Sequence, residues 1–267
     1  ALLVAPREEI TLGEKQCVTD LLLRSGATIT ELNAVRKHLS MVKGGRLAEI
    51  AYPARIISFI VSDVIGDRLD VIASGPTSPD TSTYAEALGV LHKYHLLNDA
   101  PASVVQFLGA GEKGLLPETP KEGSFIFDRV ENHVIASNRT ALEAAKQQAE
   151  ELGFNAQILS AELHGEARDV GKALARHALV PDLPRPFCLI SGGETTVSVR
   201  GAGRGGRNSE LALAFAIEIE GAADITLLSA GTDGTDGPTD AAGAVVDGDT
   251  CARARRIHLD PMIYLNN

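Results

Sequence analysis

Three aspartates are closely spaced in the segment GTDGTDGPTDAAG, residues 231–243. Asp233, Asp236 and Asp240 come directly after the apolar run ITLLSA at 225–230. Carboxylates that follow a strand are suited to binding Mg²⁺ or to orienting a substrate hydroxyl, although this spacing does not fit the D-x-[DN]-x-[DN]-G calcium loop. The pattern predicts a magnesium or substrate loop. The alternative is a chain of Asx turns, which we prefer for Asp240.

A second segment, RGAGRGGRNSELALAF from Arg200, combines glycines with arginines. Its glycines fit G-x-G-x-x-G between a predicted strand and a predicted helix, as in a dinucleotide fingerprint. The next acidic residue, Asp224, precedes the following strand, whereas a ribose-binding carboxylate would end it. Guanidinium groups pair with phosphate oxygens, and glycines and a helix N-terminus let the backbone approach a phosphate. The segment favours a phosphate loop over a β-to-α turn with solvent-facing arginines. The residues concerned are Gly201, Gly203, Gly206, Arg200, Arg204 and Arg207. Beside an aspartate loop, this pattern suggests phosphoryl transfer.

Two more loops follow predicted strands. SGGETT (191–196) carries Glu194, and a ligand loop and a hairpin turn both fit it. In SDVIGDRLDVIASGPTSPD (62–80), Asp63 is placed to bind Mg²⁺ or to accept a proton, with a turn-forming role as the alternative. Asp70 is typical of a solvent-exposed residue.

Basic residues are concentrated in NAVRKHLSMVKGGRLAE (33–49), which predicts one helix ending near Gly44 and Gly45. Its cations either meet a carboxylate or phosphate or form a solvated face. They are Arg36, Lys37, Lys43 and Arg46. The spacing of His92 and His95 predicts an i, i+3 pair. A surface helix is favoured over a metal site for this pair. No G-x-x-x-x-G-K-[ST] motif occurs, so a kinase here is not a Walker P-loop enzyme.

The elements that must position these loops alternate between short β-branched runs and helical patterns, which is typical of an α/β protein with mostly parallel sheets. The strands are predicted at 55–62, 132–137, 155–161, 187–191, 195–200, 225–230 and 243–247. Helices are predicted from Asn138 to about Gly153, over 165–179, and from Asn208 or Ser209 to Gly221. The last is apolar nearly all round, which predicts that it is buried.

Composition excludes several classes of function. The 267 residues carry a formal net charge of −10, no Trp and four Tyr, which argues against nucleic-acid binding. No apolar run approaches the ~20 residues of a membrane span, so neither a membrane span nor secretion is supported. Three scattered cysteines fit a reducing cytosol.

The Pro- and Gly-rich stretch 117–124 predicts a hinge. The unusual ends, ALLVAP and IYLNN, suggest a segment of a longer protein.

Four motifs together resemble the type-2 glycerate kinases, whose C-terminal segment is called the MOFRL domain. They are VRKHLSMVKGGRLA, SDVIGDRLDVIASGPTSPD, CLISGGETTVSVRGAGRGGRNSELALA and LLSAGTDGTDGPTDAAGA. The resemblance implies two domains, 1–122 and 123–267, with the MOFRL-type segment at about 185–267. It also implies Rossmann-like sheets with helices on both faces, an active site in the interdomain cleft, and the absence of both ends of the family's chain.

The resemblance further implies phosphorylation of D-glycerate by MgATP, most often to 2-phosphoglycerate. Arg207 would neutralise phosphate charge, Asp233 would ligate Mg²⁺ or orient the glycerate hydroxyl with Asp236 in support, and Lys43 would reach a carboxylate or phosphate. Asp63 is a second expected magnesium ligand. The residues expected to bind ATP or line the cleft are Ser191, Gly192, Gly193, Glu194, Gly203, Arg204, Gly205, Gly206, Ser74, Gly75 and Thr77.

Two rival functions remain open at this point. Some relatives of this family have been named hydroxypyruvate reductases, and G-x-G-x-x-G would suit NAD(P)H. Alternatively, a chain without its ends would be an inactive fragment with an incomplete sheet and exposed strand edges. We expect a small-molecule substrate, no nucleic-acid or membrane partner and a cytoplasmic location. Homodimer formation and a mitochondrial location are left open.

Overall fold

The computed structural model describes residues 3–267, and the chain divides into two compact units, Ala1–Ser137 and Asn138–Asn267. The predicted hinge at 117–124 and the predicted boundary at 122/123 lie inside unit 1. Among the helices of the described residues, none has the length and apolar character that crossing a bilayer requires.

Unit 1 packs helices around an apolar cluster and adds one pair of parallel strands. Its described helices are α1 (Leu12–Arg24), α2 (Ile29–His38), α3 (Arg46–Ala51), α4 (Tyr84–Lys93) and α5 (Ala102–Glu112), and its strands are β1 (Ile56–Val61) and β2 (Val130–Ala136). Short 3₁₀ segments span Ile65–Asp67, Ile72–Ser74 and Phe125–Arg129.

Capping boxes explain where three helices of unit 1 begin. Thr11, Thr28 and Thr83 each accept a hydrogen bond from the backbone of the glutamate three residues on, and that glutamate bonds back to the threonine N–H. These reciprocal bonds satisfy N–H groups that have no partner inside the helix. The helices then bury apolar side chains such as Leu22 and Leu91.

Strand β1 alternates between half-buried and exposed residues. Ile57, Phe59 and Val61 lie on its exposed side, and Phe59 is 71% exposed. A strand face that is both apolar and exposed differs from the usual pattern, in which polar residues face solvent.

Unit 2 contains two separate strand pairs with helices packed against them. Strands β3 (Asn155–Leu163) and β4 (Phe187–Gly193) are parallel, whereas β5 (Thr226–Ala230) and β6 (Gly243–Asp247) are antiparallel. The described helices are α6 (Asn138–Glu151), α7 (Ala167–Leu179), α8 (Arg207–Glu218), α9 (Thr250–Arg256) and α10 (Pro261–Asn266). The prediction of a mixed α/β protein with parallel strands is therefore confirmed.

Helices α7 and α8 approach each other very closely. A Cβ atom added at Gly171 of α7 would lie 2.3 Å from the carbonyl oxygen of Leu211 in α8. Around this contact, Ala175, Ala212 and Phe215 are buried. The burial predicted for α8 is confirmed, since five of its residues from Leu211 to Ala216 are buried.

Two local predictions are wrong. Residues 195–200 form no strand: Thr196 makes one isolated bridge to Glu166, whose carboxylate also accepts hydrogen bonds from the backbone and hydroxyl of Ser198. By contrast, helix α8 begins at Arg207, within two residues of its predicted start at Asn208 or Ser209. His92 and His95 do not share a helix, because α4 ends at Lys93 and His95 has a φ of 58°.

The basic segment 33–49 also differs from its prediction. It forms α2 and α3 with a connection at 39–45, where Gly44 and Gly45 have φ values of 61° and 79°. Such values favour glycine and interrupt a right-handed helix. Lys37, Lys43 and Arg46 are buried, so they do not form a solvated face.

Candidate functional site

The glycine-rich loop and the aspartate loop pack directly against each other in unit 2. A Cβ atom at Gly206 would lie 2.3 Å from Asp236 Oδ1, and one at Gly237 would lie 2.5 Å from the Gly205 carbonyl oxygen. Arg204 Nη2 donates a hydrogen bond to the Pro238 carbonyl oxygen at 2.6 Å. Gly206 and Gly237 therefore have a steric reason, because a side chain at either position would push the two loops apart.

The carboxylate of Asp236 caps the N-terminus of α8. It is 2% exposed and accepts hydrogen bonds from the backbone N–H groups of Asn208 and Ser209, both at 2.8 Å, and from both of their side chains. Burial alone would raise the pKa of Asp236, but the hydrogen bonds from Ser209 and Asn208 hold it below its usual value. Its charge also interacts favourably with the helix dipole.

This cap changes what the start of α8 can bind. Two of the N–H groups that a phosphate would use at a helix N-terminus are already bonded to an internal carboxylate. Asn208 is fixed further, because its Oδ1 accepts a hydrogen bond from Ser229 at the end of β5 at 2.8 Å. An anion at this end of the unit therefore has two fewer backbone N–H groups to bind, and side chains gain importance.

Arg207, the first residue of α8, connects the glycine loop to the loop after β4. Its Nη1 donates to the carboxylate of Glu194 and, at 3.4 Å, to the carbonyl oxygen of Thr195. Both charged side chains are exposed, at 51% and 66%. Within residues 3–267 the Nε and Nη2 atoms of Arg207 make no hydrogen bond, so this edge of the guanidinium can pair bidentately with an oxyanion.

Asp233 lies in an exposed turn of the aspartate loop. Its carboxylate accepts hydrogen bonds from the backbone N–H of Thr235 at 3.0 Å and from the Thr235 hydroxyl at 2.9 Å. These bonds, with a smaller contribution from the positive charge of Arg207, lower the pKa of Asp233. The Asx turn that the sequence left open is thus present, and it holds an ionised carboxylate near Arg207.

A cavity of about 850 Å³ lies between β4 and β5, next to these loops. Leu189, Leu227 and Phe215 contribute apolar walls. The hydroxyl of Ser191 is buried there and has no hydrogen-bond partner among the described residues. An apolar cavity with a few polar groups is typical of a site for an organic ligand. Gly192 and Gly193 also line the cavity, and a Cβ at Gly192 would lie 2.2 Å from Asn138 Oδ1.

The other predicted site residues lie in unit 1, where two motifs meet. The N–H groups of Gly44 and Gly45 donate to the carbonyl oxygens of Ser74 and Gly75 at 2.9 and 2.7 Å. Lys43 Nζ donates to the Ala73 carbonyl oxygen at 2.9 Å. Ser74 Oγ donates to Asn33 at 2.9 Å.

Thr77 and Asp63 complete the predicted set in unit 1. Thr77 Oγ1 donates to Asn132 of β2 at 2.7 Å, so this hydroxyl is held internally. Asp63 is exposed just after the end of β1. Among residues 3–267, no group of three or more His, Cys, Asp or Glu side chains is arranged to hold a metal ion.

The sequence reasoning missed the residues that hold these loops in place. Asn33 and Asn132 orient Ser74 and Thr77, and Asn208 and Ser209 receive the Asp236 cap. The only sequence signal was the Asn-Ser pair at the predicted start of a helix, and this pair does not identify the distant carboxylate that caps it.

Two family profiles match the chain. The profile described as "Domain of unknown function (DUF4147)" matches residues 1–109, and the profile described as "MOFRL family" matches residues 187–267. The MOFRL match contains both the glycine-rich loop and the aspartate loop. Lys43, Asp63 and the 74–77 loop lie in the other match.

Two relatives and a solved structure are similar over the whole chain or nearly all of it. The D-glycerate 2-kinase of Thermotoga maritima is 48% identical over 272 residues, covering 100% of this chain and 62% of the relative. The glycerate kinase of Macaca fascicularis is 39% identical over 310 residues, covering 99% and 77%. The crystal structure of glycerate kinase from Thermotoga maritima superimposes with a TM-score of 0.89 at 48% identity and covers 100% and 62%. The chain thus spans less than two thirds of the Thermotoga protein.

Proposed function

Because the chain belongs to the glycerate kinase family, we propose that it serves the transfer of the γ-phosphoryl group of ATP to the 2-hydroxyl of D-glycerate. In this reaction the hydroxyl oxygen forms a bond to the γ-phosphorus, the bond from that phosphorus to ADP breaks, and the hydroxyl proton is released. The products are 2-phosphoglycerate and ADP.

The observation that carries the proposal is the pairing of an oriented guanidinium with an ionised carboxylate. Arg207 is held by Glu194 through one nitrogen, which leaves its Nε–Nη2 edge for phosphate oxygens. Its charge contributes to the lowered pKa of Asp233, and we propose that the two groups bind the same ligand. Phosphoryl transfer depends on such positioning and charge neutralisation.

Asp233 is better suited to metal binding than to proton abstraction. Its lowered pKa makes it a weak base, whereas an exposed carboxylate with free lone pairs is a good ligand for a hard cation. Mg²⁺ commonly uses one or two carboxylates together with substrate phosphates, so a single aspartate here fits that ion. When bound with ATP, Mg²⁺ would neutralise charge on the phosphate oxygens.

The Asp236 cap favours a kinase over a nicotinamide-dependent reductase. A dinucleotide pyrophosphate is normally bound by free N–H groups at the N-terminus of the helix after the glycine loop. Here those of Asn208 and Ser209 bond to Asp236. Because these two N–H groups are occupied, we assign phosphate binding to the arginine side chains of the glycine-rich loop.

The cavity between β4 and β5 is the site we propose for the adenosine portion of ATP. It borders Gly192 and Gly193, and its Ser191 hydroxyl offers a buried polar group to a heterocycle. Gly206 supports Arg207 by packing closely against Asp236. The ATP-binding roles of Gly203, Arg204 and Gly205 stay predictions. The roles of Lys43, Asp63, Ser74, Gly75 and Thr77 stay predictions, as do the homodimer, the cytoplasmic location and the Rossmann-like arrangement.

The test is a chimera in which this chain replaces the matching 62% of the Thermotoga D-glycerate 2-kinase. ³¹P NMR of the chimera with MgATP and D-glycerate should show 2-phosphoglycerate, and hydroxypyruvate with NADH should give no oxidation of NADH. A folded chimera that oxidises NADH and forms no phosphoglycerate would contradict the proposal.

A further inference from the structure

The basic residues around the 39–45 connection of unit 1 fall into two groups. Lys37 Nζ donates to the buried carboxylate of Asp80 at 2.9 Å. Arg46 lies 3.4 Å from Glu49 and donates to the Pro117 carbonyl oxygen at 3.1 Å. These two cations therefore have anionic partners within the protein.

Lys15, Arg36 and Lys43, here called the cationic cluster, have none. Within residues 3–267, none of the three forms an ion pair. Lys43 is 3% exposed, and the Ala73 carbonyl oxygen takes one of its three N–H bonds. Two donors of a buried ammonium group are left over.

Lys15 is the most unusual member of the cationic cluster. It lies on the inward face of α1 with Val18 and Leu22 and is 6% exposed. Its Nζ atom is buried and has no hydrogen-bond partner among the described residues. Burying an ammonium group without a partner costs several kcal/mol, so its presence on a core face calls for a compensating interaction.

The three charges act on one another. Burial, together with smaller contributions from the charges of Lys43 and Arg36, lowers the pKa of Lys15 to about 8. Burial and Arg36 likewise lower the pKa of Lys43. Three mutually repelling cations on α1, α2 and the connection after α2 would all be stabilised by one shared anion.

We propose that Lys15, Arg36 and Lys43 form a binding subsite for a small oxyanion, either a carboxylate or a phosphate group. The anion accepts hydrogen bonds from the ammonium groups of Lys15 and Lys43 and pairs with the guanidinium of Arg36, which is half-buried and gives access from solvent. The subsite is independent of ATP turnover. Its assignment to the carboxylate of D-glycerate, however, rests on the proposed function.

The first experiment is calorimetric titration with D-glycerate and, separately, with inorganic phosphate, in the absence of ATP and Mg²⁺. An Arg207→Ala background removes the other phosphate-binding group. Lys15→Met and Arg36→Gln should each weaken binding about 10- to 100-fold, as expected for one charged hydrogen bond of roughly 1.5–3 kcal/mol. The exposed Lys113→Met variant is the matched control and should bind as the parent does.

A second readout separates binding from a structural role. An anion should raise the pKa of Lys15, so binding at pH 8.5 should take up protons, and this uptake should disappear in Lys15→Met. Tighter binding of D-glycerate would assign the subsite to a carboxylate, and tighter binding of phosphate to a phosphoryl group. Absence of binding, or equal binding by parent and variants, would overturn the subsite. Phosphoglycerate formation by the chimera would still stand in that case.

Discussion

The carboxylate of Asp236 and the backbone N–H of Ser209 are joined by a 2.8 Å hydrogen bond that ties the aspartate loop to the start of α8. Through this bond and its neighbour at Asn208, the position of Asp233 becomes coupled to that of Arg207. One buried carboxylate thus orients two exposed groups.

Replacing Asp236 by alanine should reduce both stability and turnover. Loss of a helix cap costs about 1–2 kcal/mol of unfolding free energy, measurable by urea denaturation. In the chimera, kcat should fall more than KM rises, because Arg207 and Asp233 lose their fixed relation. Asp240→Ala, an exposed change in the same loop, is the control. Equal effects of the two substitutions would refute the positioning role of Asp236.

Removing the guanidinium of Arg207 should impair catalysis with little effect on folding. Arg207→Ala in the chimera should lower kcat/KM by about 2–4 kcal/mol of transition-state stabilisation. Arg207→Lys should recover only part of this, since an ammonium cannot pair bidentately. Arg255→Ala, which removes an exposed arginine paired with Glu220, should leave the steady-state kinetics unchanged. A near-normal kcat/KM for Arg207→Ala would exclude the phosphate role.

Some parts of this structure could be predicted from the sequence alone, and others could not. The predicted runs at 55–62 and 187–191 correspond to β1 and β4 within two residues, because β-branched runs bounded by polar residues are local signals. The resemblance to glycerate kinases is likewise confirmed, since its motifs are contiguous stretches. The failures at 195–200 and 33–49 arise from contacts with distant residues, such as Glu166, and from two left-handed glycines. The capping role of Asp236 depends on a contact between two loops that no local pattern encodes.

Acid should destabilise unit 1 through Glu118. Burial alone would raise the pKa of Glu118, but hydrogen bonds from His38 Nε2, 2.7 Å away, and from two backbone N–H groups lower it to about 2. A group with a depressed folded-state pKa contributes stability above its unfolded value of 4.5, and this contribution is lost as the pH falls from 4.5 through about 2. Glu118→Gln should flatten that part of the stability curve, whereas Glu112→Gln, at an exposed position, should not. Parallel curves for parent and Glu118→Gln would rule out this linkage.

The close approach of α7 and α8 should not tolerate a methyl group. Gly171→Ala would place a Cβ 2.3 Å from a backbone oxygen, and such overpacking costs about 1–3 kcal/mol in thermal or urea unfolding. The matched control is Gly89→Ala in α4, where nothing lies within 4 Å of the added atom. There the better helix propensity of alanine should stabilise the protein by roughly 0.5–1 kcal/mol. A stable Gly171→Ala variant would mean that the two helices are farther apart than described.

The exposed side of β1 has a practical consequence for handling the protein. Ile57, Phe59 and Val61 present an exposed apolar stripe on a two-stranded sheet, and such stripes attract the same stripe on other molecules. Self-association through this stripe would grow with concentration and with salting-out ions such as sulfate. Enzymatic and calorimetric samples are therefore best kept dilute, with light scattering used to set the upper limit.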